Sequence, residues 1–103
     1  MYNRSMNLTE AQKKSLRGMA HALKPIVMVA ASGASEGVIK ELDQALDHHE
    51  LLKVRVRVGD RETRDELIQQ LCRETRSTLI QRLGNVATLF RRNPEKPRIK
   101  IPS

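Results

Sequence analysis

Between Thr9 and Leu23, apolar residues return every three or four positions. Leu16, Met19, Ala20 and Leu23 fall on one side at about 100° per residue, which predicts an amphipathic helix. Thr9-Glu10-Ala11-Gln12 has the form of a capping box at its start, and Lys24-Pro25 ends it. Ile26-Val27-Met28-Val29 is apolar at every position and predicts a strand covered on both faces. Ser35 can cap a second helix that buries Val38, Ile39, Leu42, Ala45 and Leu46. Its outer side then carries Glu36, Glu41, Asp43 and Asp47. In Leu52-Lys53-Val54-Arg55-Val56-Arg57-Val58 the alternation is strict, so a strand buries one side and shows a row of three cations on the other. Gly59-Asp60 breaks it, and a third helix follows with Leu67, Ile68, Leu71 and Cys72 inward. Two short strands, about 78–83 and 86–91, flank Gly84-Asn85, a two-residue hairpin connection.

The order α-β-α-β-α-β-β, with right-handed crossovers, predicts an α/β (α+β) fold with a mixed four-stranded sheet and two crossover helices on one face. The first helix is expected to shield part of the other face, because the first strand needs two covers. A single domain over residues 1–92 is expected. The stretch 93–103 follows, kept extended by Pro94, Pro97 and Pro102, and either lies along the sheet edge or floats free.

Charge changes this picture most. Nineteen Lys+Arg against twelve Asp+Glu leave a net +7. The excess is uneven: residues 1–35 hold five bases and one acid, residues 36–50 one base and five acids, and residues 91–103 five bases and one acid. Such a balance favours a polyanion, nucleic acid before an anionic membrane surface. No apolar run approaches the roughly 20 residues of a membrane helix, and the first ten residues lack the apolar core of a secretory signal. One cysteine excludes an internal disulfide. The expectation is a cytoplasmic, monomeric protein without membrane contact.

Candidate chemistry is sparse. Adjacent His48 and His49 point about 100° apart on a helix and do not share an ion, so no metal is expected. Cys72 lies on an apolar stripe and reads as a packed thiol rather than a nucleophile. No catalytic motif surrounds any Ser, His or carboxylate, so neither an enzyme nor a cofactor is expected. The turn Ala31-Ser32-Gly33-Ala34-Ser35 sits between strand and helix, where free N–H groups can meet a phosphate. It lacks the Lys-Ser/Thr pair of a nucleotide loop, and on shape alone an ordinary turn and a phosphate contact both stay open. The cationic elements are the stronger candidates: Lys13, Lys14, Arg17 and Lys24 beside the first helix, Lys53, Arg55 and Arg57 on the second strand, and Arg91 and Arg92 near the end. Whether the two patches share a face is not decided by the sequence. With Tyr2 and Phe90 the only aromatics, base stacking as in RRM or OB folds has no platform, and contacts to phosphate and sugar are expected.

The stretches LTEAQKKSLRGMAHALKPIVMVAASGASEGVIKELDQALDHHELLKVRV, LIQRLGNVATLFR and PRIKIP resemble the CRM domain, and within it the bacterial stand-alone YhbY type. The resemblance runs from Leu8 to Pro102. It implies a fold similar to the C-terminal domain of translation initiation factor three, association with precursors of the large ribosomal subunit, and no enzymatic activity. The family's G-x-x-G loop aligns with Ala30-Ala31-Ser32-Gly33: Gly33 is kept, Ala30 replaces the first glycine, and Ala31 or Ser32 takes the place of the usual cation. Leu89-Phe90-Arg91 stands where the family has Leu-Tyr-Arg. The resulting expectation is a non-catalytic protein docking on structured ribosomal RNA, with Lys13, Lys14, Arg17, Lys24, the loop Ala31 to Ser35, Lys53, Arg55, Arg57, Arg91 and Arg92 as contacts. Two alternatives are a protein-interaction module meeting a basic ribosomal protein through the acidic helix 36–50, and a duplex DNA binder.

Overall fold

A computed structural model describes residues 8–30 and 32–101. The elements are α1 (Glu10–Ala20), β1 (Pro25–Val29), α2 (Glu36–His49), β2 (Leu51–Val56), α3 (Arg61–Thr75), β3 (Thr78–Leu83) and β4 (Val86–Phe90). The sheet order is β1-β2-β4-β3, with β1 parallel to β2 and the other pairs antiparallel. This is the mixed α+β sheet that the hydrophobic pattern predicts.

Caps set the helix starts: Thr9 and Ser35 as the sequence implies, and Asp60 where the sequence shows only a break. Thr9 Oγ1 accepts from Gln12 N at 3.0 Å and Gln12 Oε1 accepts from Thr9 N at 2.9 Å. Ser35 Oγ accepts from Val38 N, and Asp60 Oδ2 accepts from Thr63 N. Asp60 is held below the ordinary carboxylate range chiefly by the Thr63 hydroxyl and then by that Thr63 N–H. Gly84, at φ +59°, takes the first central position of the hairpin, where a side chain would be strained.

Two cores lie on opposite sides of the sheet. The larger joins Val27, Val29, Leu52, Val54, Val56, Ala87 and Leu89 to Leu42 and Leu46 of α2 and Leu67, Ile68 and Leu71 of α3. The smaller joins Leu16 and Ala20 of α1 to Leu51, Ile80 and Phe90, with Leu8, Ile99 and Ile101 packed against it. The last two place residues 98–101 against the domain under α1, so this part of the C-terminal stretch does not float free. Its proline at 102 lies outside the described residues.

Two expectations need correction. First, β1 is not covered on both faces: Ile26 and Met28 are 49 % and 54 % exposed. The physical reason is placement. β1 is an edge strand, and α1 crosses the sheet over Leu51, Ile80 and Phe90 instead. Second, α1 buries only Leu16 and Ala20. Leu23 is exposed because the helix ends at Ala20, before it, and Met19, still within the helix, is exposed as well.

Candidate nucleic-acid interface

Strand alternation decides which side chains share a face. In β2, Leu52, Val54 and Val56 enter the larger core, whereas Leu51 points to α1. Lys53 and Arg55 therefore stand on the α1 side of the sheet. Their ladder partners agree: Lys53 lies opposite Thr88 and Pro25, and Arg55 opposite Val86 and Met28. Arg57 follows one residue past β2, and its N–H still bonds Val29 O at 2.8 Å, which carries the row onward to the end of β1. The two basic patches thus lie on one side of the sheet, Lys13, Lys14 and Arg17 on α1 and the row of three beside it.

Among the described residues, no carboxylate lies within 4.0 Å of Lys14, Arg17, Lys24, Lys53, Arg55 or Arg57. Lys13 has only Glu10, at 4.0 Å and 87 % exposed, a pair of negligible strength. Lys53 and Arg55 are only part-exposed yet unpaired. Such cations give up some hydration without a protein counter-charge.

The C-terminal arginines are different, and here the sequence expectation fails. Arg91 is 2 % exposed. It donates to Asp43 Oδ1 at 2.5 Å, Asp47 Oδ1 at 2.6 Å, Asp43 O at 2.9 Å and Thr75 O at 2.8 Å. Its planar fork ties β4 to α2 and to the end of α3, so it is a structural fastener and has no surface to offer a phosphate. Arg92 donates to Glu50 and to Ile99 O, with its guanidinium 5.6 Å from the Phe90 ring. Its charge is likewise committed within the chain.

Glu50 is the buried counterpart that the sequence reading missed. Its carboxylate accepts from Asn93 N and Arg98 N at 2.6 Å and from Ile99 N at 2.7 Å, and its own carbonyl accepts from Arg91 N. Burial alone would raise its pKa, but three backbone N–H donors and Arg92 outweigh that and hold it below the ordinary 4.5. It sits at φ +61°, an uncommon backbone for a glutamate. A Glu just past a helix, bonded to a Pro-rich basic stretch 43 to 49 residues later, carries no local signature.

These pairs also reshape the acidic helix. Of its five acids, Asp43, Asp47 and Glu50 are already bonded to Arg91 and Arg92. Asp47, which suits the C-terminal end of a helix dipole poorly, is explained by Arg91.

In the strand-to-helix turn, Gly33 adopts φ +80°. Its N–H bonds Ala30 O, Ser35 N–H bonds Gly33 O, and Val38 N–H bonds the Ser35 hydroxyl. The turn thus satisfies much of itself; the N–H groups of Glu36 and Gly37 in the first turn of α2 have no acceptor among the described residues. Ala31 lies outside the described residues. His48 and His49 meet edge to face, and among the described residues no group of three metal-ligating side chains gathers. Burial raises the Cys72 thiol pKa, with Ser77 opposing, which does not favour a thiolate. No described helix is long and apolar enough to cross a membrane.

Set beside known proteins, the chain belongs to the CRS1/YhbY (CRM) domain family, whose sequence profile matches residues 8–91. It is 43 % identical over 90 residues to a Pseudomonas aeruginosa protein named a probable RNA-binding protein, spanning 87 % of this chain and 86 % of that one. It is 42 % identical to a Haemophilus influenzae RNA-binding protein, over 92 % of this chain and 95 % of the other. The solution structure of a Staphylococcus aureus protein, described as a candidate RNA binder, superposes with a TM-score of 0.79 at 36 % identity, covering 92 % and 99 % of the two chains.

Proposed function

We propose that this chain is a non-catalytic RNA-binding protein that docks on structured ribosomal RNA during assembly of the large ribosomal subunit, acting as a cytoplasmic monomer. The observation that carries the proposal is the placement of α1 and the Lys53–Arg57 row on one side of the sheet, with no carboxylate within 4.0 Å of the row among the described residues. Lys13, Lys14, Arg17 and Lys24 contact phosphates from one end, and Lys53, Arg55 and Arg57 from the middle. Ser32, Gly33, Ala34 and Ser35 set the turn so that the first N–H groups of α2 reach a further phosphate. Arg91 and Arg92 hold the fold instead of the ligand. The names of the relatives support RNA over DNA as the polyanion. A protein-docking role for α2 is less favoured, since three of its acids already serve Arg91 and Arg92.

Fractionation of ribosomal particles on density gradients tests this reading. At low salt the protein is expected with large-subunit precursors, and moderate salt should release it. A protein that stays at the top of the gradient at every salt concentration would contradict the proposal.

A further inference from the structure

The half of the sheet face that α1 leaves bare is not flat. Pro25, Lys53, Arg55, Gln81, Leu83, Val86 and Thr88 line a depression of about 240 Å³. That is smaller than the roughly 300–1,000 Å³ of ordinary small-molecule clefts, and suits one flat ring more than a whole ligand. Gln81 and Thr88, cross-strand partners, are both in its lining. Thr88 is 3 % exposed. Among the described residues, neither its hydroxyl nor the Gln81 amide makes a hydrogen bond within the chain. Both groups are therefore left to solvent in the depression, where each can donate to and accept from an outside partner. The two groups beside them, Lys53 and Arg55, are unpaired cations. Exposed Met28 and Leu83 add aliphatic surface at the two edges.

We infer that this depression takes the base of one unpaired RNA nucleotide, an extension that rests on the RNA-binding reading above. The ring lies on the aliphatic side chains of Val86 and Leu83. Gln81 and Thr88 bond its edge or its ribose hydroxyl, since both can donate and accept. Lys53 and Arg55, two residues apart and so about 6.7 Å along the strand, meet the phosphates on either side, a separation close to that of successive phosphates in a strand. Charge complementarity selects a nucleotide over an apolar peptide, because a peptide would leave both cations without a counter-charge.

The test compares two RNA hairpins that differ only in one bulged, unpaired nucleotide. Their dissociation constants for the full chain are measured by fluorescence anisotropy at one salt concentration. The bulged hairpin should bind roughly tenfold more tightly, the worth of one or two net hydrogen bonds. The double variant Thr88→Val with Gln81→Ala should lose that preference while keeping its affinity for the paired hairpin. Equal binding of both hairpins by the unmodified chain would overturn the inference while leaving RNA binding standing; binding of neither would overturn both. A readout on the unmodified chain guards against a misfolded variant: the Thr88 methyl and Gln81 amide NMR signals should move with the bulged hairpin only. Signals that stay still with both would overturn the inference and leave the face to a protein partner.

Discussion

Arg91 Nη1 lies 2.5 Å from Asp43 Oδ1, joining the end of β4 to the outer turn of α2 across 48 residues of sequence. The contact turns a cation that reads as a ligand group into part of the interior. With the bonds to Asp47, Asp43 O and Thr75 O, it leaves the guanidinium fully engaged.

Arg91→Ala should therefore cost stability before it costs binding. We expect a loss of about 3 kcal/mol, the low end for breaking a buried pair because Asp43 and Asp47 stay half-exposed and regain water. Arg91→Lys should recover little, since an ammonium cannot replicate the fork. Urea unfolding of both variants checks this. A variant as stable as the parent would mean the contact contributes nothing.

Glu50 gives the fold an acid limit. A carboxylate whose folded pKa is lowered contributes stability that is complete above its ordinary value of 4.5 and is lost as pH falls through the lower folded value. Glu50→Gln should cost about 2 kcal/mol near neutral pH, because its amide cannot accept all three backbone donors. The gap between parent and variant should close under acid conditions. Thermal melts from neutral pH downward measure it, and a gap that stays constant would refute the assignment.

Arg76 ends α3 in a left-handed conformation, φ +56° and ψ +38°, with its side chain exposed. Glycine bears no penalty there, so Arg76→Gly should stabilise the protein by roughly 0.5–1 kcal/mol. A lower melting temperature would show that the arginine side chain has a role its exposure hides.

How far the sequence discloses this molecule depends on whether the cause is local. Thr9 and Ser35 mark their helices because a cap acts within three residues, and Gly84-Asn85 marks its hairpin for the same reason; Asp60, legible only as a break after a strand, proves to cap α3 as well. The alternation from Leu52 to Val56 correctly divides that strand into a buried and a cationic side. The apolar run at Ile26–Val29 misleads, since hydrophobicity says nothing about where α1 will lie. Arg91, Arg92 and Glu50 are opaque for a related reason: the carboxylates that pair the two arginines and the backbone donors to Glu50 are 42 to 49 residues away, and only the folded chain joins them. Lys53 and Arg55 are legible as a cationic row on one side of their strand, but their shared side with α1 follows from sheet order, which no local pattern encodes.

The cations on β2 and those on and just past α1 should act additively on RNA. Lys53→Glu with Arg55→Glu, and separately Arg17→Glu with Lys24→Glu, should each weaken binding while leaving thermal stability within about 0.5 kcal/mol, as surface changes do. If only one pair matters, the RNA follows one patch and not both.

The most direct measurement is the salt dependence of RNA affinity, taken by filter binding with a structured RNA. If α1 and the β2 row grip one phosphate backbone together, log K should fall steeply against log salt. Each of the two double reversals should lower that slope by roughly 1.8, at about 0.9 per lost phosphate contact on a duplex. A slope near zero for the unmodified chain, or one that neither reversal changes, would contradict a single cationic face built from both elements.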